Sequence, residues 1–217
     1  MQTIPNRNQL NAYNVVKPGW EAIRQSLYDF QVYAAAGSTQ MTFFALPVGQ
    51  GGKTLSDTNI LTAGALPANT EFLVDSIQVL FLPTVPAVAA DNPAAQGAKA
   101  VANIVNDVYK FYRTGNLTFT IGQKNYTQEA PLGRFPAATK FNLSAAVALA
   151  GEVADANSRI TYAQAGGPLY KVSPAGLRLV STQNFSVTLN WPEGAQVITN
   201  PARVGVILDG VLYRRSQ

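Results

Sequence analysis

The chain has no cysteine and no histidine. With neither thiolate nor imidazole there is no zinc finger, no cysteine nucleophile, no Ser-His-Asp triad and no histidine-ligated metal centre. Carboxylate chemistry survives these absences, but it needs two acids converging on one cleft. The twelve acids (Glu21, Asp29, Asp57, Glu71, Asp75, Asp91, Asp107, Glu129, Glu152, Asp155, Glu193 and Asp209) are scattered singly along the chain. We therefore expect no enzyme, no cofactor, no metal and no small-molecule substrate. A carboxylate-dependent glycosidase is the enzyme class left open, and it lacks a recognisable pair of acids.

Charge is also scarce. Asp, Glu, Lys and Arg make up 13% of the residues, against roughly 25% in ordinary soluble domains. Asn, Gln, Thr, Ser and Ala stand in their place, and these can be buried between subunits at less desolvation cost than Lys or Glu. That favours assembly. The net charge of +4 and pI near 9.4 imply a mild attraction to polyanions. The sixteen basic residues are nevertheless spread out, and the one adjacent pair is Arg214–Arg215. These two arginines are the candidate contact with a genome, a membrane or a neighbouring subunit.

Long apolar runs are missing as well. The richest, Ile77 to Ala90, is interrupted by Gln78, Pro83, Thr84 and Pro86, so no stretch reaches the 18 or so residues of a membrane span. The opening MQTIPNRNQLNAYNVVKPGW lacks the basic start, apolar run and small-residue cleavage site of a signal peptide, which leads us to expect synthesis in a cytoplasm. Asn-x-Ser/Thr sequons at Asn116, Asn125, Asn142 and Asn184 are then chance products of an Asn- and Thr-rich chain.

What is present reads as β-structure. Residues 1–27, rich in Asn, Gln and Pro, form an extended N-terminal arm in which Trp20 to Leu27 has room for a helical turn; residues 28–217 form one domain. Segments of β character run over Phe30–Ala34, Met41–Leu46, Phe72–Leu82, Leu117–Ile121, Arg159–Ala163, Leu177–Val180, Phe185–Trp191 and Val204–Tyr213. In NFSVTLNW the residues Phe185, Val187, Leu189 and Trp191 take one face, the candidate core, and Asn184, Ser186, Thr188 and Asn190 take the other, the period of a strand with one buried side. One segment has helical grammar instead. Asn92 suits an N-cap and Pro93 the first turn, and Ala98, Val101, Ala102, Val105, Val108, Tyr109 and Tyr112 follow at i, i+3, i+4 spacing. Lys110 and Arg113 suit the last turn and Gly115 closes it. A second, weaker helix is expected within Ser144–Ala156. Thirty Pro and Gly residues (13 plus 17) punctuate the chain at the spacing of a sandwich or roll rather than of βαβ units.

Two motifs resolve into architecture. GQGGKT follows a strand-like segment, but the Walker pattern needs a glycine where Pro47 stands, and LSDTNILTAG offers no helix N-terminus to a phosphate. It is an inter-strand loop, with Lys53 expected at the surface. Asp209-Gly210 between VGVIL and VLY marks a terminal hairpin or a bulged last strand. Trp20 and Trp191 would suit a sugar-stacking platform if exposed, but Trp191 continues the buried face of its strand.

Three segments, SDTNILTAGALPANTEFLVDSIQVLF, QNFSVTLNWP and RVGVILDGVLYRRSQ, together about a quarter of the chain, resemble jelly-roll major capsid proteins of tailless icosahedral bacteriophages. The resemblance implies an all-β antiparallel jelly-roll sandwich with a helix flanking it near 93–113 and a polar arm linking subunits. A single roll is favoured over a compact double roll, because two full rolls need sixteen strands. The implied function is that of a virion subunit made in the bacterial cytoplasm and self-assembling into the shell around the genome. Its partners would be copies of itself, other virion proteins, and viral nucleic acid or an internal membrane. The alternative is a carbohydrate-binding or receptor-binding jelly-roll module of a phage, which would call for exposed aromatics.

Overall fold

The structure, a computed structural model, describes residues 19–84, 93–145, 158–164, 169–172 and 176–215. Along the chain run β1 (Trp20–Arg24), β2 (Leu27–Tyr33), β3 (Gln40–Phe43), β4 (Thr70–Pro83), α1 (Pro93–Arg113), β5 (Asn116–Ile121), β6 (Lys124–Glu129), β7 (Thr139–Ala145), β8 (Ser158–Gln164), β9 (Tyr170–Lys171), β10 (Leu177–Val180), β11 (Phe185–Asn190) and β12 (Ala202–Arg215).

The strands form two antiparallel sheets packed together, an all-β sandwich, with α1 beside it. In the first sheet β12 pairs along its length with β4; on its other edge β2 meets residues 202–208 and β1 meets residues 211–215. Beyond β4 lie β9 and β10. The second sheet has the order β3-β11-β5-β6, and β7 and β8 make a separate hairpin. Four antiparallel pairs are nested in sequence: β5 with β6, outside them β4 with β10, then β3 with β11, and outermost β2 with β12. In this nested set every connection except β5 to β6 passes from one sheet to the other.

Alternation places the core. Val204, Val206 and Leu208 of β12 and Ile77, Val79 and Phe81 of β4 face Phe43, Leu117, Phe119, Val187 and Leu189 of the second sheet, all buried. Phe185 and Trp191 are also buried, at 3% and 1% exposure. Asp209-Gly210 turns out to be a bulge inside a continuous β12. A Cβ on Gly210 would lie 1.9 Å from the Leu73 carbonyl oxygen, so the close crossing of the two long strands admits only glycine there.

The helix spans Pro93–Arg113, and Gly115 behind it has φ +91°, the left-handed closure that the glycine permits. Its buried stripe differs from the expected one. Ile104 and Phe111 are buried with Val108 and Tyr112 packed on the core, whereas Val105 and Tyr109 are exposed. Positions 104, 108 and 111 share one arc of the helix, and the bulkier Phe111 turns that arc inward. Tyr112 secures the contact: its hydroxyl donates to the Val79 carbonyl (2.9 Å) and accepts the Phe81 N–H (3.0 Å), closing the β4 edge there.

Other segments also depart from expectation. Trp20–Arg24 is a strand, not a helical turn, because its backbone pairs with β12; residues 1–18 of the expected arm lie outside the described residues. The strand expected to run to Leu46 ends at Phe43, since Phe44 has φ +68°. Most of the second expected helix, residues 146–156, also lies outside the described residues, and Ser144 and Ala145 end β7.

Candidate functional site: a neutralised corner and the molecular surface

Where β2 leads into β3 the chain crosses between sheets, and an acid holds the corner. Asp29 lies on the inward side of β2 with its side chain 0% exposed. It accepts the backbone N–H of Phe44 at 2.6 Å, fixing the left-handed residue. Its other oxygen pairs with Lys53, whose side chain is 10% exposed and which also donates to the Phe30 carbonyl at 3.3 Å. The expectation of a surface Lys53 is therefore corrected. A buried carboxylate needs a counter-charge, and the glycine-rich loop folds back to deliver one.

Beside this corner lies a groove of about 530 Å³ lined by Phe30, Val32, Leu46, Lys53, Asp57 and Arg203. Arg203 pairs with Asp57 at 2.8 Å and lies over the Phe30 ring, 4.6 Å from its centroid. The Asp57 carboxyl is held below its ordinary pKa, chiefly by the Thr54 backbone N–H, then by the Thr54 hydroxyl, with Arg203 adding to it against a desolvation that acts the other way. Each charged group in the groove has a partner of opposite sign.

The same holds elsewhere. Glu21 pairs with Arg214, Glu71 with Arg178, Asp75 with Lys171 and Glu129 with Arg134. Asp107, 3% exposed, accepts the Thr199 N–H (2.9 Å) and hydroxyl (3.2 Å). Asp209 accepts the Ser26 hydroxyl at 2.6 Å and the Gln78 amide. Among the described residues no cluster of three or more Asp, Glu, His or Cys could hold a metal ion, and no helix is long and apolar enough to cross a membrane.

Of the two candidate contact arginines, Arg214 and Arg215, both are exposed at the end of β12. Arg214 is occupied by Glu21, while Arg215 stands opposite Trp20 in the register. Phe185, Val187, Leu189 and Trp191 lie together in the core, far in kind from a ligand surface. The Asp29–Lys53 and Asp57–Arg203 pairs were not anticipated. The first pair's one signal in the sequence is an acid at an inward position of β2, between Leu27 and Tyr33, both buried.

No known protein family, no curated protein and no solved structure matches this chain. Function has to be argued from the fold and its surface.

Proposed function

We propose that this chain is the structural subunit of an icosahedral bacteriophage capsid, folded as a single jelly roll and self-assembling into the shell that encloses the genome. The nested strand pairing carries the proposal. A jelly roll is a long antiparallel hairpin of four strand pairs rolled so that alternate pairs fall in opposite sheets. The pairs β2·β12, β3·β11, β4·β10 and β5·β6, distributed as β2-β12-β4-β10 and β3-β11-β5-β6, follow that scheme strand for strand. They use eight strands, one roll's worth.

A fold alone does not name a function, and three further features support the shell. The described carboxylates are nearly all engaged within the chain, which favours a building block over a catalyst. The scarcity of charge and the resemblance of three segments to tailless-phage capsid proteins point the same way. Size exclusion and negative-stain microscopy of the purified chain test the proposal: shells or capsomers are expected, and a small monomer at all concentrations would refute it.

A further inference from the structure

The second sheet has two very different faces. Its inner side is the apolar core; its outer side is made by the alternate residues of β3, β11 and β5, with β6 at the edge. One row crosses all four strands: Thr42, Thr188, Thr118 and Gln128 stand side by side in the register. The next row brings Ser186 beside Thr120, and Asn190 beside Asn116 completes the third. Every outward position on β3, β5 and β11 is an uncharged hydrogen-bonding side chain. At the β5–β6 turn Lys124 sits 5.0 Å from the Tyr126 ring centroid. Thr120 bonds to Asn125 (2.9 Å), but the hydroxyls of Thr42, Thr118, Ser186 and Thr188 have no partner among the described residues.

We infer that this face is a contact surface for a second copy of the same chain, meeting the same face of its neighbour; the inference rests on the shell-subunit reading and assigns it a surface. Hydroxyls and carboxamides both donate and accept, so such a face complements itself. Two copies that each carry +4 approach at least Coulomb cost where neither presents charge. On β3, β5 and β11 the face carries no aromatic ring to stack a sugar and no apolar patch to enter a lipid layer. Its size also fits. Four strands about 4.8 Å apart and about 20 Å long give roughly 400 Å², below the roughly 800 Å² per partner of a stand-alone complex. It is therefore a weak contact that becomes effective when repeated around a shell.

A charge swap tests this on the full chain. Thr188→Lys and Thr188→Glu, each alone, put like charges against each other across the contact and should lower particle yield by about tenfold or more, with circular dichroism unchanged. Mixed in equal amounts, the two variants should recover assembly. Particles at wild-type yield from either variant alone, or no recovery from the folded mixture, would overturn the inference. If Thr188 variants do not fold, Thr42→Lys and Thr42→Glu at the exposed end of the same row give the same reading. Sedimentation velocity over a concentration series separates the two proposals. A wild-type chain that associates without closing shells sinks the capsid and leaves the face to be judged by the swap, whereas a strict monomer sinks both.

Discussion

Trp191 offers a direct measure of how the sandwich is held at the end where the helix joins it. Its ring is 1% exposed and meets Tyr33 and Phe111 edge-on or tilted, each with centroids 5.4 Å away. Burying about 150–250 Å² of aromatic surface contributes about 4–6 kcal/mol at roughly 25 cal/mol per Å². Against this stands the indole N–H, buried with no hydrogen-bond partner among the described residues, a defect costing about 1–3 kcal/mol. Trp191→Ala should then destabilise by about 3–5 kcal/mol, the usual range for a large aromatic cut back to a methyl in a core. Trp191→Phe keeps a ring against Tyr33 and Phe111 and deletes the unpaired donor. Its cost should stay under about 1.5 kcal/mol, because the lost area and the removed defect nearly offset. Urea unfolding of subunits followed by far-ultraviolet circular dichroism measures both. A loss below about 1 kcal/mol for the alanine variant would place the indole at the surface and reopen a sugar-stacking role. A phenylalanine variant as unstable as the alanine one would show that the N–H is satisfied in solution, and the account of the defect would be wrong.

Three other outcomes are expected. Lys53→Met leaves Asp29 buried without its counter-charge and should cost about 3–5 kcal/mol; adding Asp29→Asn, which still accepts the Phe44 N–H, should recover most of it in the same unfolding assay. Burial pushes the Tyr112 phenol up to about 12, so its contribution is present below the ordinary value near 10 and is lost as pH rises through 12, on the order of 3 kcal/mol in all. Urea midpoints should therefore hold to about pH 10 and then fall, less steeply in Tyr112→Phe, with Tyr33, Tyr170 and Tyr213 shifted upward in the same sense by desolvation. Molar salt should leave particles largely intact, since exposed ion pairs contribute only about 0–1 kcal/mol and are screened within about 8 Å at physiological salt. Dissolution of wild-type particles in molar salt, while Arg214→Gln/Arg215→Gln still assembles normally, would place the decisive charges elsewhere in the chain.

How much of this was legible in the sequence depends on how much each segment buries. Strands β4, β5, β11 and β12 announce themselves because one side of each faces a core, and α1 does so through Pro93, its apolar spacing and Gly115. The edge strands do not. In KNYTQE of β6 only Thr127 is buried, and WEAIR of β1 buries no residue fully; both are strands because a neighbour's backbone recruits them, which no local pattern records. Two-residue β9 leaves no period to detect. The corner pair was hidden for a related reason: Asp29 and Lys53 lie 24 residues apart, and their meeting is a property of the turn between sheets. The polar outer face of the second sheet is an intermediate case. Its composition was visible as an excess of Thr, Ser and Asn, but which of them stand in one row depends on register across four strands.

The engagement of charge within the chain bears directly on how copies of it would attract one another. Glu21, Asp29, Asp57, Glu71, Asp75 and Glu129 each have a cation of their own. Recruiting one of them to a neighbour would first break the internal pair, and for the buried Asp29 that is costly enough to unfold the corner. Strong intersubunit ion pairs are therefore disfavoured by the subunit's own stability. Neutral surface can bring copies together without that cost: hydroxyls and amides whose bonds to water can be exchanged for bonds to a neighbour at small net gain, about 0.5–1.5 kcal/mol each. Contacts of that strength are individually reversible, so a misplaced subunit can leave, and only closure of a repeated array makes them collectively stable. Insensitivity to salt and sensitivity to a single introduced charge at Thr188 are then two consequences of one cause, and a shell showing only one of them would not be held together in this way.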